Sequence, residues 1–185
     1  AIKTKKTKGR LADLEEKLKR EGWLNGTCGI GHTRWATHGE PSDINSHPHG
    51  NANISIVHNG IIENYRTIKD FLLKKGYIFE SQTDTVAKLL DYYYDGDPMA
   101  TIQKVLAEIE GSYALGIIFK DFPRRIYAVR KDSPLIVAVG EDEAFIASDV
   151  PAILKYTKNY YLLDENEIAV LDDGKVEFFD VHGMP

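Results

Sequence analysis

Residues 31–41 read Gly-His-Thr-Arg-Trp-Ala-Thr-His-Gly-Glu-Pro and form the most informative stretch of the chain. We predict a strand at Thr27–Arg34 that leads into a polar loop extending from Thr37 to Gly50. At the end of such a strand, the Arg34 guanidinium can bind a carboxylate through two parallel charge-assisted hydrogen bonds, and Thr37 can donate a third. The competing interpretation is a strand edge with a surface arginine and a packed tryptophan. The chemistry alone favours this simpler interpretation.

A second segment of interest is Asn59-Gly60, which follows a predicted buried strand at Ile54–His58. Asn-Gly is typical of a two-residue hairpin turn, but the residues after it have a helical pattern rather than a strand pattern. The alternative is an oxyanion hole, in which the Asn59 amide and the Gly60 backbone N–H point at a developing negative charge. From the residues alone, the two interpretations are evenly balanced.

The third segment is Thr83-Asp84-Thr85, which precedes a predicted helix at Val86–Tyr94. A helix cap is the default interpretation of Asp84. Its functional alternative is a carboxylate that acts as the counter-ion of a substrate ammonium group.

Hydrophobic periodicity predicts an α+β fold with largely antiparallel sheets in one domain, residues 1–185. The further helices are predicted at Arg10–Glu21, from about Ile62 to Gly76, from Pro98 to Glu110 and at Val150–Tyr156. The further strands are predicted at Ser112–Lys120, Arg125–Arg130, Leu135–Val139 and Ala144–Ala147, and as three pieces that end near Val181.

Composition excludes several classes of protein. A net charge of -5 argues against nucleic-acid binding, and no apolar run has the length of a membrane-spanning helix. The single cysteine, Cys28, excludes an intrachain disulfide framework and fits a reducing cytoplasm.

The three segments occur together and in one order, and further pieces accompany them: His47-Pro48-His49, Lys131–Leu135 and Phe145–Asp149. This set resembles the glutaminase domains of glucosamine-6-phosphate synthases, a branch of the class II glutamine amidotransferases. The resemblance extends from about residue 8 to the C-terminus, and residues 34–39 are its most specific part.

The resemblance implies the four-layer αββα sandwich of the N-terminal nucleophile hydrolases. It also implies hydrolysis of the glutamine side-chain amide and delivery of the ammonia to fructose 6-phosphate, which becomes glucosamine 6-phosphate. No cofactor or metal is implied, and the full-length enzyme is expected to be a cytoplasmic homodimer.

Site residues follow from the same resemblance. Arg34, helped by Thr37, is expected to bind the α-carboxylate of glutamine, with Trp35 and His38 shaping the pocket. Asp84 is expected to pair with the α-ammonium group.

The oxyanion hole of the family corresponds to the Asn59 side chain and to Gly60, which is expected to contact the substrate as well. His47, in the matching His-Pro-His, is expected to help order the pocket.

The family's nucleophile is an N-terminal cysteine that opens a Cys-Gly-Ile motif, and its own α-amino group serves as the base. Residue 1 is Ala1, so the chain as given is expected to be inactive and to lack the nucleophile segment and the downstream isomerase domains. Cys28-Gly29-Ile30 reproduces the tripeptide, but Cys28 is internal and has no free amine. We therefore expect Cys28 to be a small buried residue.

Two alternatives remain at this point. A non-catalytic glutamine-binding regulatory module would keep Arg34 and Asp84 and need no nucleophile. A metal site would use five histidines, although their spacing matches no familiar metal motif: His32, His38, His47, His49 and His58.

Overall fold

The computed structural model describes residues 1–34, 40–79 and 85–185. In this part of the chain the helices are α1 (Leu11–Glu21), α2 (Tyr65–Lys74), α3 (Thr85–Tyr93) and α4 (Pro98–Glu108). The strands are β1 (His49–Gly50), β2 (Ile54–Ile62), β3 (Gly111–Phe119), β4 (Arg125–Lys131), β5 (Ile136–Val139), β6 (Ala144–Ala147), β7 (Tyr160–Leu162), β8 (Glu167–Asp172) and β9 (Lys175–Asp180).

Six strands form one antiparallel sheet in the order β1-β2-β3-β4-β8-β9. Its longest pairing joins β2 and β3, from Ile54 opposite Phe119 to Ile62 opposite Gly111. Since successive side chains of a strand point to opposite faces, Ile54, Ile56 and Ile62 lie on one face of this sheet. That face is buried against helices.

The principal core lies between this face and α2, α3 and α4. Ile68 and Leu72 of α2 are buried at helical spacing, and Leu89 and Leu90 of α3 are fully buried beside them. Complete burial of one such side chain contributes about 2 kcal/mol. Apolar burial therefore dominates the attachment of these helices to the sheet.

The opposite face of the six-stranded sheet packs on a second, antiparallel sheet of order β6-β5-β7. Small side chains on the larger sheet, such as Ala128 and Ala169, pack against Leu135, Val137 and Leu163. The outer face of the second sheet is covered by Val150 and Ile153. Helices, two sheets and this outer segment form successive layers, and the predicted α+β sandwich with antiparallel sheets is confirmed.

Three local predictions were wrong. Thr27–Arg34 is not a strand, although partly buried and exposed residues alternate from Cys28 to Arg34 as they would in one. Side chains of this segment, such as His32, contact a face of the larger sheet. Its backbone forms no strand pairing with the described strands. Val150–Tyr156 forms turns rather than an α-helix, because Ile153 N donates to Val150 O and Tyr156 N to Ile153 O, three residues back instead of four. Asn59-Gly60 lies inside β2 instead of ending it, because β3 continues the pairing to Ile62.

No helix within the described ranges combines the length and the apolar character needed to cross a bilayer.

Candidate active site

The direction of the groups around Asn59 and Gly60 follows from the β2–β3 pairing. Lys120 N donates to Asn53 O and Glu63 N donates to Glu110 O, each at 2.8 Å, so odd-numbered residues of β2 form the hydrogen-bonded pairs with β3. The N–H of Gly60, at an even position, is therefore directed away from β3. On that side β1 pairs only with Ser55 and Ile56, so the Gly60 N–H lies beyond the end of β1.

The side chain of Asn59 points to the face of β2 opposite the helices, because its even-numbered neighbours belong to the helix-facing core. There it lines a small cavity of about 90 Å³ between the two sheets. His32, Gly116 and Ile146 are also among the residues around this cavity. The arrangement places a side-chain amide and a backbone N–H, from consecutive residues, at one end of the sandwich.

His32 connects the arginine segment to Asn59. The backbone N–H of Arg34 donates to His32 Nδ1 at 2.8 Å, and His32 Nε2 lies 2.5 Å from Asn59 Oδ1. Arg34 has a φ of 42°, which is uncommon for a residue other than glycine and costs about 1–3 kcal/mol. The predicted carboxylate-binding residue and the predicted oxyanion donor are thus joined through one imidazole.

Three further histidines surround His32. Its ring centroid lies 4.2 Å from that of His47, which in turn lies 4.5 Å from His49 and 6.1 Å from His58. Burial, followed by the positive potential of the neighbouring groups, lowers the pKa of His47 to about 2, that of His49 to about 3 and that of His58 to about 4. These three imidazoles are therefore neutral near pH 7.

Two buried ring nitrogens in this cluster, His47 Nδ1 and His58 Nε2, have no hydrogen-bond partner in the described part of the chain. Buried polar atoms are usually satisfied, so each of these exceptions calls for an explanation. Within the described residues, no group of three or more His, Cys, Asp or Glu side chains is arranged to hold a metal ion.

Cys28 lies apart from this cluster. It is half-buried, and its thiol donates to the Arg125 carbonyl oxygen at 3.6 Å. Burial, with a smaller effect of Asp172, raises the pKa of the Cys28 thiol. A protonated thiol held against a carbonyl is a poor nucleophile, which agrees with a structural role.

The structure brings together Arg34, Asn59, Gly60 and His47. The other predicted site residues, Trp35, Thr37, His38 and Asp84, lie outside the described residues. The sequence interpretation missed the role of His32 in linking Arg34 to Asn59. The available signal was that His32 lies two residues before Arg34, because alternate residues of an extended segment share one face.

A cavity of about 670 Å³ lies elsewhere, among α4, β4, β8 and β9. It contains none of the predicted site residues. A smaller cleft of about 210 Å³ is lined by His32, Arg34 and His47, and we assign the chemistry to this region because the hydrogen-bonding groups converge there.

A family model described as glutamine amidotransferase domain matches residues 32–155. The glutamine–fructose-6-phosphate aminotransferase [isomerizing] of Caldanaerobacter subterraneus subsp. tengcongensis is 58% identical over 98% of this chain, and that of Clostridium tetani is 53% identical over 98%. The chain spans 30% of the length of each of these relatives.

Among solved structures, the glutamine phosphoribosylpyrophosphate amidotransferase from B. subtilis, complexed with ADP and GMP, has a TM-score of 0.68. It is 21% identical, over 81% of this chain and 34% of that chain. A structure described as the allosteric regulatory enzyme of purine biosynthesis has a TM-score of 0.70 at 22% identity, over 81% of this chain and 34% of that chain. At these identities the likeness concerns the fold alone. The solved structures show that the chain shares their sandwich fold, and the family match shows that it belongs to the glutamine amidotransferase domain family.

Proposed function

We propose that this chain is the glutaminase domain, residues 1–185, of a glutamine–fructose-6-phosphate aminotransferase. Relatives with this name are 53–58% identical across almost the whole chain. The observation that carries the proposal is the convergence of Arg34, His32 and Asn59 at one end of the sandwich, with Arg34 N 2.8 Å from His32 Nδ1 and His32 Nε2 2.5 Å from Asn59 Oδ1.

Substrate binding is the first part of the proposed mechanism. The Arg34 guanidinium binds the glutamine α-carboxylate as a two-pronged donor, and Thr37 adds a hydrogen bond. The carboxylate of Asp84 pairs with the α-ammonium group. Trp35 and His38 form the pocket walls.

Amide hydrolysis is the second part. A cysteine thiolate attacks the side-chain amide carbon, and the carbonyl oxygen becomes an oxyanion that accepts hydrogen bonds from Asn59 Nδ2–H and the Gly60 N–H. The α-ammonium group of this cysteine, which took up the thiol proton, protonates the leaving nitrogen as the C–N bond breaks and ammonia departs. Water then hydrolyses the thioester to glutamate and restores the thiol. The resemblance assigns the nucleophile to an N-terminal cysteine, and the internal Cys28 has no free α-amino group to act as its base.

The neutral imidazoles of His47, His49 and His58 suit this chemistry. Because their pKa values are lowered to about 2, 3 and 4, they add no charge to a pocket that binds a zwitterion. His47 packs on His32 and so supports the ring that contacts Asn59.

The remainder of the proposal concerns the complete enzyme. Ammonia passes to fructose 6-phosphate in an isomerase portion outside this chain and yields glucosamine 6-phosphate. We place this enzyme in the cytoplasm, as a homodimer.

The test is an isotope-transfer assay with the complete enzyme that contains this chain. Glutamine labelled with ¹⁵N at the side-chain amide is supplied with fructose 6-phosphate, and the label is expected in glucosamine 6-phosphate with one equivalent of glutamate. The Arg34→Ala variant is measured beside the unsubstituted enzyme. It is expected to transfer little ¹⁵N to glucosamine 6-phosphate at low glutamine concentration. Glutamine binding without release of ammonia would identify a non-catalytic binding module instead.

A further inference from the structure

We propose that His32 is a positioning residue for the oxyanion hole, which orients the Asn59 carboxamide so that its NH₂ group faces the reacting oxygen. This inference rests on the proposed function. It starts from two contacts on opposite sides of one ring: Arg34 N–H with His32 Nδ1, and His32 Nε2 with Asn59 Oδ1.

The first contact determines the tautomer of His32. Because the Arg34 N–H donates to Nδ1, this nitrogen carries a lone pair and no proton. The proton of the neutral imidazole then lies on Nε2 and is donated to Asn59 Oδ1. A proton on Nδ1 would face a second donor, the Arg34 N–H, across 2.8 Å.

The second contact determines the orientation of the amide. If the Asn59 carboxamide were rotated by half a turn, its NH₂ group would face the Nε2–H of His32, and two donors would repel. The oxygen is therefore held toward His32, and the NH₂ group faces away from it. An oxyanion requires a donor that is already oriented, since reorientation during the reaction would cost part of the stabilisation.

The same chain of contacts connects binding to catalysis. The backbone of Arg34, whose side chain is proposed to bind the α-carboxylate, has a φ of 42° and donates its N–H to His32. The ring of His32 also packs against that of His47, at 4.2 Å between centroids. Asn59 is thus oriented by the segment that binds the substrate.

The experiment compares His32→Gln with His32→Asn in the complete, active enzyme. The glutamine amide nitrogen reaches approximately the position of Nε2 and can donate to Asn59, whereas the shorter asparagine can accept from Arg34 N–H but cannot reach Asn59. We expect His32→Asn to lower kcat for glutamine hydrolysis by about tenfold or more with little change in KM, and His32→Gln to restore most of the loss. His182→Gln, on the exposed C-terminal turn, is the control substitution.

Double variants show whether His32 acts through Asn59. If it does, His32→Asn adds almost nothing to the loss already caused by Asn59→Ala. The proposal would be overturned if the kcat losses of His32→Asn and Asn59→Ala multiplied in the double variant. It would also be overturned if His32→Gln and His32→Asn lowered kcat equally. If Asn59→Ala itself leaves turnover intact, the oxyanion assignment in the proposed function fails instead.

A measurement on the unsubstituted protein covers the case in which the variants do not fold. In ¹⁵N spectra of histidine-labelled protein, His32 is expected to show a protonated Nε2 and an unprotonated Nδ1. The opposite tautomer would contradict the proposed orientation of Asn59.

Discussion

Gly60 and Ser112 approach each other so closely that a Cβ atom on Gly60 would lie 2.7 Å from the Ser112 carbonyl carbon and closer still to its oxygen. Gly60 also has a φ of 101°, in the region that favours glycine. The collision is with a backbone carbonyl of β3 and the φ is a torsion of Gly60 itself, so neither constraint is relieved by rotation of a side chain. Position 60, which supplies the N–H proposed for the oxyanion hole, therefore admits only glycine.

Gly60→Ala is expected to lower the free energy of unfolding by about 3 kcal/mol or more, from the strained φ and the collision together. Gly76→Ala is the matched control, because Gly76 also has a positive φ, 91°, but a Cβ added there would meet no atom within 4 Å. Its expected cost is about 1–2 kcal/mol. Urea denaturation of both variants measures the difference, and equal losses would contradict the steric argument.

Asn59→Ala is expected to reduce glutaminase turnover in the complete enzyme by about a hundredfold or more, with little change in glutamine affinity. The reason is that the oxyanion exists only during the reaction. Asp84→Ala is expected to act in the opposite way, losing affinity first, because its partner is the ground-state ammonium. Steady-state kinetics of both variants test the assignment, and a raised KM with intact turnover in Asn59→Ala would make Asn59 a pocket wall.

Arg34→Ala is expected to weaken glutamine binding by about 2–5 kcal/mol, because a charged pair in a closed site is lost. Arg34→Lys is expected to recover only part of this loss, since an ammonium cannot reproduce the two parallel hydrogen bonds. The measurement is KM together with the inhibition constant of glutamate. A lysine variant with unchanged affinity would contradict the two-pronged contact.

Cys28→Ser is expected to leave glutamine hydrolysis near normal in the complete enzyme, with a loss of stability of about 1 kcal/mol or less. The serine hydroxyl can replace the thiol as a donor to the Arg125 carbonyl oxygen. Because its pKa is raised, Cys28 is also expected to react slowly with iodoacetamide near pH 8. A collapse of turnover in a folded Cys28→Ser variant would show that this thiol takes part in the reaction.

The histidine cluster predicts loss of stability in acid. The pKa values of His47, His49 and His58 are about 2, 3 and 4 in the folded state, below the ordinary histidine value of 6.5. The unfolded chain therefore binds more protons than the folded chain below about pH 6.5, and stability falls as the pH decreases from there toward 4. Each imidazole contributes at most about 1.4 kcal/mol per pH unit in this window.

Urea denaturation between pH 7 and pH 4.5 measures this slope. His47→Gln is expected to reduce the slope, and His182→Gln, at the exposed C-terminal turn, is expected to leave it unchanged. A flat dependence in the unsubstituted protein would contradict the neutral state of the cluster.

Elements with local signals could be predicted from the amino-acid sequence. The helix predicted to begin at Pro98 is observed as α4, and its start is capped by the Asp97 side chain, which accepts from Ala100 N at 3.2 Å. The strand at Ala144–Ala147 was predicted with its observed bounds. Helix caps, turn residues and hydrophobic periodicity depend on residues that are close together in the sequence. They can therefore be recognised from one sequence without knowledge of the fold.

The pairing of these elements, and the side chains that meet as a result, emerged only in the folded chain. Residues 28–34 have the alternation of a strand, but a strand also requires a partner edge, which no local pattern specifies. β2 continues through Asn59-Gly60 because β3, more than 50 residues later, supplies the opposite edge. The contact of His32 with Asn59 spans 27 residues, and it arises because the segment before Arg34 lies across the face of β2. Such contacts depend on long-range packing, which the folded chain establishes and the residue pattern does not.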